Sequence, residues 1–80
     1  MPMQRKNMEL TEVDEAILNE LNQGARTQGY LIEETGYQRY KVHERLKMLT
    51  AVGYVENIHE NTALYELRED PREGETNADD

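Results

Sequence analysis

The stretch from Gly36 to Val55, GYQRYKVHERLKMLTAVGYV, decides how the rest of the chain is read. Val42, Leu46 and Leu49 recur at helical spacing, and on a wheel of about 100° per residue Leu46 and Leu49 fall within about 40° of Val42. One face of a helix is therefore expected to be buried. The remaining face is basic: four of the nine Lys and Arg residues of the chain, Arg39, Lys41, Arg45 and Lys47, lie here with one acid, Glu44, among them. Gly53 ends the pattern, and beyond it the apolar period changes.

Outward toward the N-terminus, Thr11 is a credible helix cap, with Asp14 three residues later in the place that Glu holds in a capping box. Glu12, Asp14 and Glu15 load the positive end of the helix dipole with negative charge. Val13, Ile17, Leu18 and Leu21 form an apolar face, and Gly24 supplies the stop, so a first helix is expected over Glu12–Gln23. Gly24-Ala25-Arg26 is too short for an independent element and is expected to lie beside a later hairpin as a minimal strand. Thr27 can cap a short second helix, Gln28–Thr35, with Tyr30, Leu31 and Ile32 turned inward and Gly36 ending it. The third helix then runs from Gln38 or Arg39 to Val52. Only about three residues separate the second and third helices, which forces a sharp angle between them.

After Gly53, the residues Tyr54, Val55, Ile58, Leu64, Tyr65 and Leu67 flank the polar His59-Glu60-Asn61-Thr62. Two antiparallel strands joined by a turn are expected, with Asn61 the most turn-prone residue. Residues 1–9 lack periodicity and read as a loose arm, residues 10–69 as the domain, and residues 70–80 as a disordered acidic tail.

Eighty residues allow one small domain, which buries only roughly 60% of its unfolded surface and has little room for a substrate cavity. There is no Cys, hence no disulfide framework and no thiolate zinc site. His43 and His59 are too few for a His-rich metal site and read as surface residues. No Cys nucleophile, Gly-rich phosphate loop or ligand cluster supports catalysis, and Glu33-Glu34 point apart on consecutive helical positions. No cofactor, metal or small-molecule ligand is expected. No apolar run approaches the roughly 18 residues of a membrane span, and MPMQRKNMEL lacks the apolar core of a signal peptide, so a cytoplasmic protein is expected.

The net charge is −8. Residues 66–80 carry seven acids and two Arg, a net of −5, whereas residues 37–48 carry four bases and one acid, a net of +3. Three Lys accompany six Arg and seventeen acids, a balance suited to cytoplasm at very high salt.

A helix, a second short helix, a basic third helix and an apolar hairpin, in that order, are what a winged helix-turn-helix needs. The chain over Leu10–Glu69 resembles the winged helix-turn-helix domains of archaeal and bacterial transcription regulators, and among them the small repressor-like proteins of halophilic archaea and their viruses. Asp14 with Ile17-Leu18, the Thr35-Gly36 turn, Val42, Arg45-Leu46 and Leu49, and Gly53-Tyr54-Val55 carry the resemblance. It implies an α+β fold of three helices and a two-stranded antiparallel hairpin, and a sequence-specific double-stranded DNA-binding regulator acting as a repressor. Such domains often have Ser or Thr near Tyr37 or Gln38 to cap the recognition helix, and Gln38 is a poor cap.

In a helix-turn-helix the N-terminal part of the recognition helix meets base edges in the major groove. Gln38, Arg39, Tyr40, Lys41 and Glu44 are thus expected nearest to bases, although Tyr40 could pack over the core edge and Glu44 could pair with Lys41 or Lys47. Arg45 and Lys47 are expected on phosphates, and Thr27 and Gln28 are expected to offer backbone N–H groups to a phosphate. In the wing, His59, Asn61 and Thr62 are the candidates; the wing has no Arg or Lys, and its Glu60 opposes phosphate. So small a basic patch favours a homodimer, through the first helix and N-terminal arm or the hairpin edge. The competing expectation is a protein-interaction module without DNA contact, favoured by the net charge of −8.

Overall fold

The computed structural model describes residues 8–72. The element order is α1 Glu12–Leu21, β1 Arg26–Thr27, α2 Gln28–Thr35, α3 Arg39–Ala51, β2 Val55–His59 and β3 Leu64–Leu67, with a 3-10 turn over Glu60–Thr62. This is a small α+β domain, three helices against a three-stranded antiparallel sheet, a layout compatible with a winged helix. The strand order is β1-β3-β2, so the last strand is central. The minimal strand expected near Ala25 is β1, with Arg26 opposite Tyr65 and Thr27 opposite Leu64.

Each helix begins and ends for local reasons. At α1, Thr11 Oγ1 accepts from the Asp14 amide at 3.2 Å and Asp14 Oδ2 accepts from the Thr11 amide at 2.8 Å, a complete capping box. The helix closes two residues earlier than expected, at Leu21, because Gln23 and Gly24 donate to Glu20 and Leu21 in tight turns. Thr27 caps α2 through the Tyr30 amide at 3.1 Å. Gly36 ends α2 at φ 78°, a left-handed conformation that a side chain resists. Gln38 occupies the cap position of α3 with no side-chain hydrogen bond to the helix. Gln38→Ser should therefore raise stability by about 1 kcal/mol, seen as a higher urea midpoint at unchanged slope. An unmoved midpoint would mean that the cap position is indifferent to its side chain.

The core is drawn from every layer: Val13, Ile17, Leu18 and Leu21 of α1, Leu31 of α2, Val42, Leu46 and Leu49 of α3, and Tyr54, Val55 and Tyr65 beside or within the sheet. Of the residues expected to turn inward on α2, Leu31 is buried, Ile32 is half-buried, and Tyr30 is exposed. Tyr54 precedes the strand; its amide donates to Leu49 and its carbonyl accepts from Arg68 and Glu69. At the hairpin tip the left-handed residue is Ala63, at φ 49°, and not Asn61.

Two boundaries are corrected. Met8, expected in the loose arm, packs against the core with Leu10; residues 1–7 lie outside the described residues. Asp70, expected to open a disordered tail, is 6% exposed. Its carboxylate accepts from Asn22 Nδ2 at 2.9 Å and from the Arg72 backbone amide, Nε and Nη2 at 2.9 to 3.0 Å. Arg72 Nη1 reaches on to Asn19 at 2.9 Å, so residues 70–72 are clasped to the end of α1, and the rest of the expected tail lies outside the described residues.

These partners, the Arg72 guanidinium first, hold the Asp70 carboxyl down at about 2. A carboxylate with a lowered folded pKa stabilises the fold above its unfolded value and loses that contribution as pH falls through the folded one. Asp70→Asn should cost about 2 kcal/mol at pH 7, a difference that shrinks below about pH 4 and is nearly gone at about pH 2. Urea titrations of both proteins across that range check it; a pH-independent difference would assign the effect to packing instead.

Candidate nucleic-acid interface

The stripe Val42, Leu46 and Leu49 is fully buried, and this fixes which side of α3 faces outward. Arg39, Tyr40, Lys41, Glu44, Lys47 and Met48 are exposed, as is Gln38 just ahead of them. Tyr40 is 62% exposed and does not pack over the core edge. Among the described residues no ion pair engages Arg39, Lys41, Lys47 or Glu44, so the pairing considered for Glu44 is not formed.

Arg45 is the main departure. Expected on a phosphate, it is turned toward α1, where Nε donates to Asp14 Oδ1 and Nη2 to Asp14 Oδ2, both at 2.8 Å. Asp14 is fully buried, and Nη1 of Arg45 is occupied by Met48 Sδ at 3.3 Å. The hydrogen bonds to Asp14 hold the Arg45 guanidinium above its ordinary pKa against the cost of burial. Arg45 is therefore an anchor for α3, not part of its outward charge. The exposed face keeps three cations, Arg39, Lys41 and Lys47, against Glu44, a net of +2.

The start of α2 also differs from expectation. The Gln28 amide donates to the Ala63 carbonyl at 3.1 Å, and the Thr27 hydroxyl is used as the helix cap. The Gln28 backbone N–H is thus spent on the hairpin rather than offered to a phosphate. Its side chain meets the next helix: Gln28 Oε1 lies 3.3 Å from His43 Nδ1. Arg26 lies over the Tyr30 ring at 5.1 Å from its centroid.

At the hairpin tip His59, Asn61 and Thr62 are exposed. Thr62 Oγ1 and His59 Nδ1 bond each other at 3.0 Å, and the His59 amide donates to Asn57 Oδ1 at 3.1 Å. A register shift between Asn57 and His59 kinks β2 at this point. No cation lies between Val55 and Leu67, and Arg68 just beyond pairs with Glu56 at 2.6 Å on the surface.

On another side, an open groove of about 470 Å³ runs along α1, lined by Leu10, Thr11, Glu12, Glu15, Ala16, Asn19 and Tyr37. Among the described residues, no three His, Asp or Glu side chains gather to hold a metal, and no helix is long and apolar enough to cross a membrane. No family model, curated protein or solved structure matches this chain.

Proposed function

We propose that the chain is a winged helix-turn-helix transcription regulator that binds double-stranded DNA sequence-specifically and represses by occupancy. The observation that carries this is the division of labour on α3. One face is fully buried, Arg45 ties the helix to α1, and the outward face keeps an exposed Tyr and three cations that no ion pair engages among the described residues. α3 enters the major groove with Arg39, Tyr40, Lys41, Glu44 and Gln38 nearest the bases, and Lys47 lies on the backbone. Gln28 and His43 flank the groove at the joint of the two helices, and the cation-free hairpin adds little affinity. A net of +2 on the reading face gives a modest, salt-sensitive monomer, which a homodimer on two half-sites would strengthen. The acid-rich remainder suits a high-salt cytoplasm.

A second reading is favoured by the groove on α1, where Glu12 and Glu15 border Leu10, Ala16 and Tyr37: an adaptor that binds a basic protein segment without touching DNA. A two-dimensional amide NMR titration with a short duplex, at low and high salt, separates the two. Shifts over 38–47 and at Gln28 that fade with salt support DNA binding. A spectrum unmoved at both salts supports the adaptor.

A further inference from the structure

Among the described residues four large apolar side chains are exposed: Tyr30, Tyr40, Met48 and Ile58. Tyr30 is covered on one face by Arg26, and Met48 receives Arg45 Nη1. Ile58 sits at the kink of β2, between Asn57 and His59. Tyr40 is the most exposed at 62%, and its hydroxyl has no partner among the described residues. It is the second residue of α3, flanked by the exposed cations Arg39 and Lys41.

We infer that Tyr40 is a specificity-determining residue whose ring packs on the C5-methyl group of a pyrimidine in the major groove. This rests on the DNA-binding reading above. The floor of the major groove offers hydrogen-bond donors, acceptors and a single kind of apolar group, the methyl of thymine, which 5-methylcytosine shares. The Tyr40 hydroxyl can donate to a phosphate or to guanine, but the ring carbons gain nothing from phosphate or from guanine O6 and N7, which are what the neighbours Arg39 and Lys41 suit. On the first turn of the helix that enters the groove, the methyl is the partner that removes ring surface from water. The ring is held out by the backbone of a helix whose other face is locked in the core, so it meets the groove preorganised.

The test starts from the duplex that the full chain enriches from a random pool. Deoxyuridine then replaces thymine one position at a time, removing the methyl and nothing else. At one position the wild-type chain should lose about three- to fivefold in affinity, the size expected for one methyl leaving water. Tyr40→Ala should bind the thymine duplex weaker by at least that factor and be indifferent to deoxyuridine there. At the same position, with guanine opposite, 5-methylcytosine should bind wild type better than cytosine if any C5-methyl suffices; equal binding would restrict the contact to thymine. Wild-type binding unchanged by deoxyuridine at every position, or a loss that Tyr40→Ala retains, overturns the inference while leaving DNA binding standing. Failure to bind any duplex at low salt overturns both. The exposure of Tyr40 keeps the variant foldable, which its amide spectrum verifies.

Discussion

Arg45→Met is expected to remove about 3 to 5 kcal/mol of folding stability, a large part of what an 80-residue domain possesses. The fully buried Asp14 carboxylate would lose two charge-assisted hydrogen bonds and keep only the Thr11 amide as a donor. Desolvation of that carboxylate has already been incurred by the fold, and without the guanidinium nothing offsets it. Asp14→Asn should be milder, because an amide can still accept from Thr11 and carries no charge. The double variant Asp14→Asn/Arg45→Met should lose clearly less than the two singles added together, since the uncompensated charge is gone. Urea unfolding of the four proteins measures this. Additive losses would show that the two residues act independently and that α3 is held by its apolar stripe alone.

Replacing Arg39, Lys41 and Lys47 together by Ala should abolish duplex binding at moderate salt and leave the fold intact. Each phosphate neutralised contributes about 0.9 to the slope of log affinity against log salt. Lys47 on the backbone accounts for about 0.9 of the slope lost in the triple variant, and loss of the Arg39 and Lys41 base contacts, about 1 to 3 kcal/mol each, lowers affinity by roughly a further 30-fold or more at every salt. Fluorescence anisotropy over a salt series reads both quantities. An unchanged affinity would refute α3 as the face that meets DNA, and no duplex binding by either protein would leave the groove on α1 as the surface to pursue. Unfolding should be unaffected, because all three side chains are exposed and outside every ion pair among the described residues.

The helices were legible because their signals are local. Thr11 with Asp14, Thr27 and Gly36 mark ends, Gly24 places the end of α1 to within two residues, and the apolar stripes of α1 and α3 fix faces without reference to the rest of the chain. The orientation of Arg45 was not legible from its type, since an Arg on a basic helix reads as solvent-facing. Its position carried a signal: Arg45 lies three residues after Val42 and four before Leu49, on the flank of the buried stripe, and Asp14 stands in register with Ile17, Leu18 and Leu21. An acid and a base, each in line with a core face, are candidates to meet there. Asp70 gave no such sign. Its partners Asn22 and Asn19 lie some fifty positions away, and an acidic Pro- and Gly-containing segment has the composition of a tail. Tyr40 needed the structure for a third reason: two residues before Val42 it falls on the outward side of the wheel, but a large ring in the first turn can still fold over the core edge, and only its 62% exposure decides.

The strand order β1-β3-β2 governs when this domain can assemble as it is synthesised. The central strand is the last to emerge, and both neighbours await it: Arg26 pairs with Tyr65 and Val55 with Leu67. Until Ala63, Leu64 and Tyr65 have cleared the ribosome, β1 has no partner and the Gln28 amide has no Ala63 carbonyl to meet. Closure of the sheet spans 39 positions between Arg26 and Tyr65, so the contact that completes the domain is a non-local one, with a loop-closure cost that no helical turn carries. A nascent chain arrested before β3 holds a basic helix without the sheet that completes the fold. Any property that needs the completed fold therefore arrives only after β3 has been made, a consequence of the order in which the chain is synthesised.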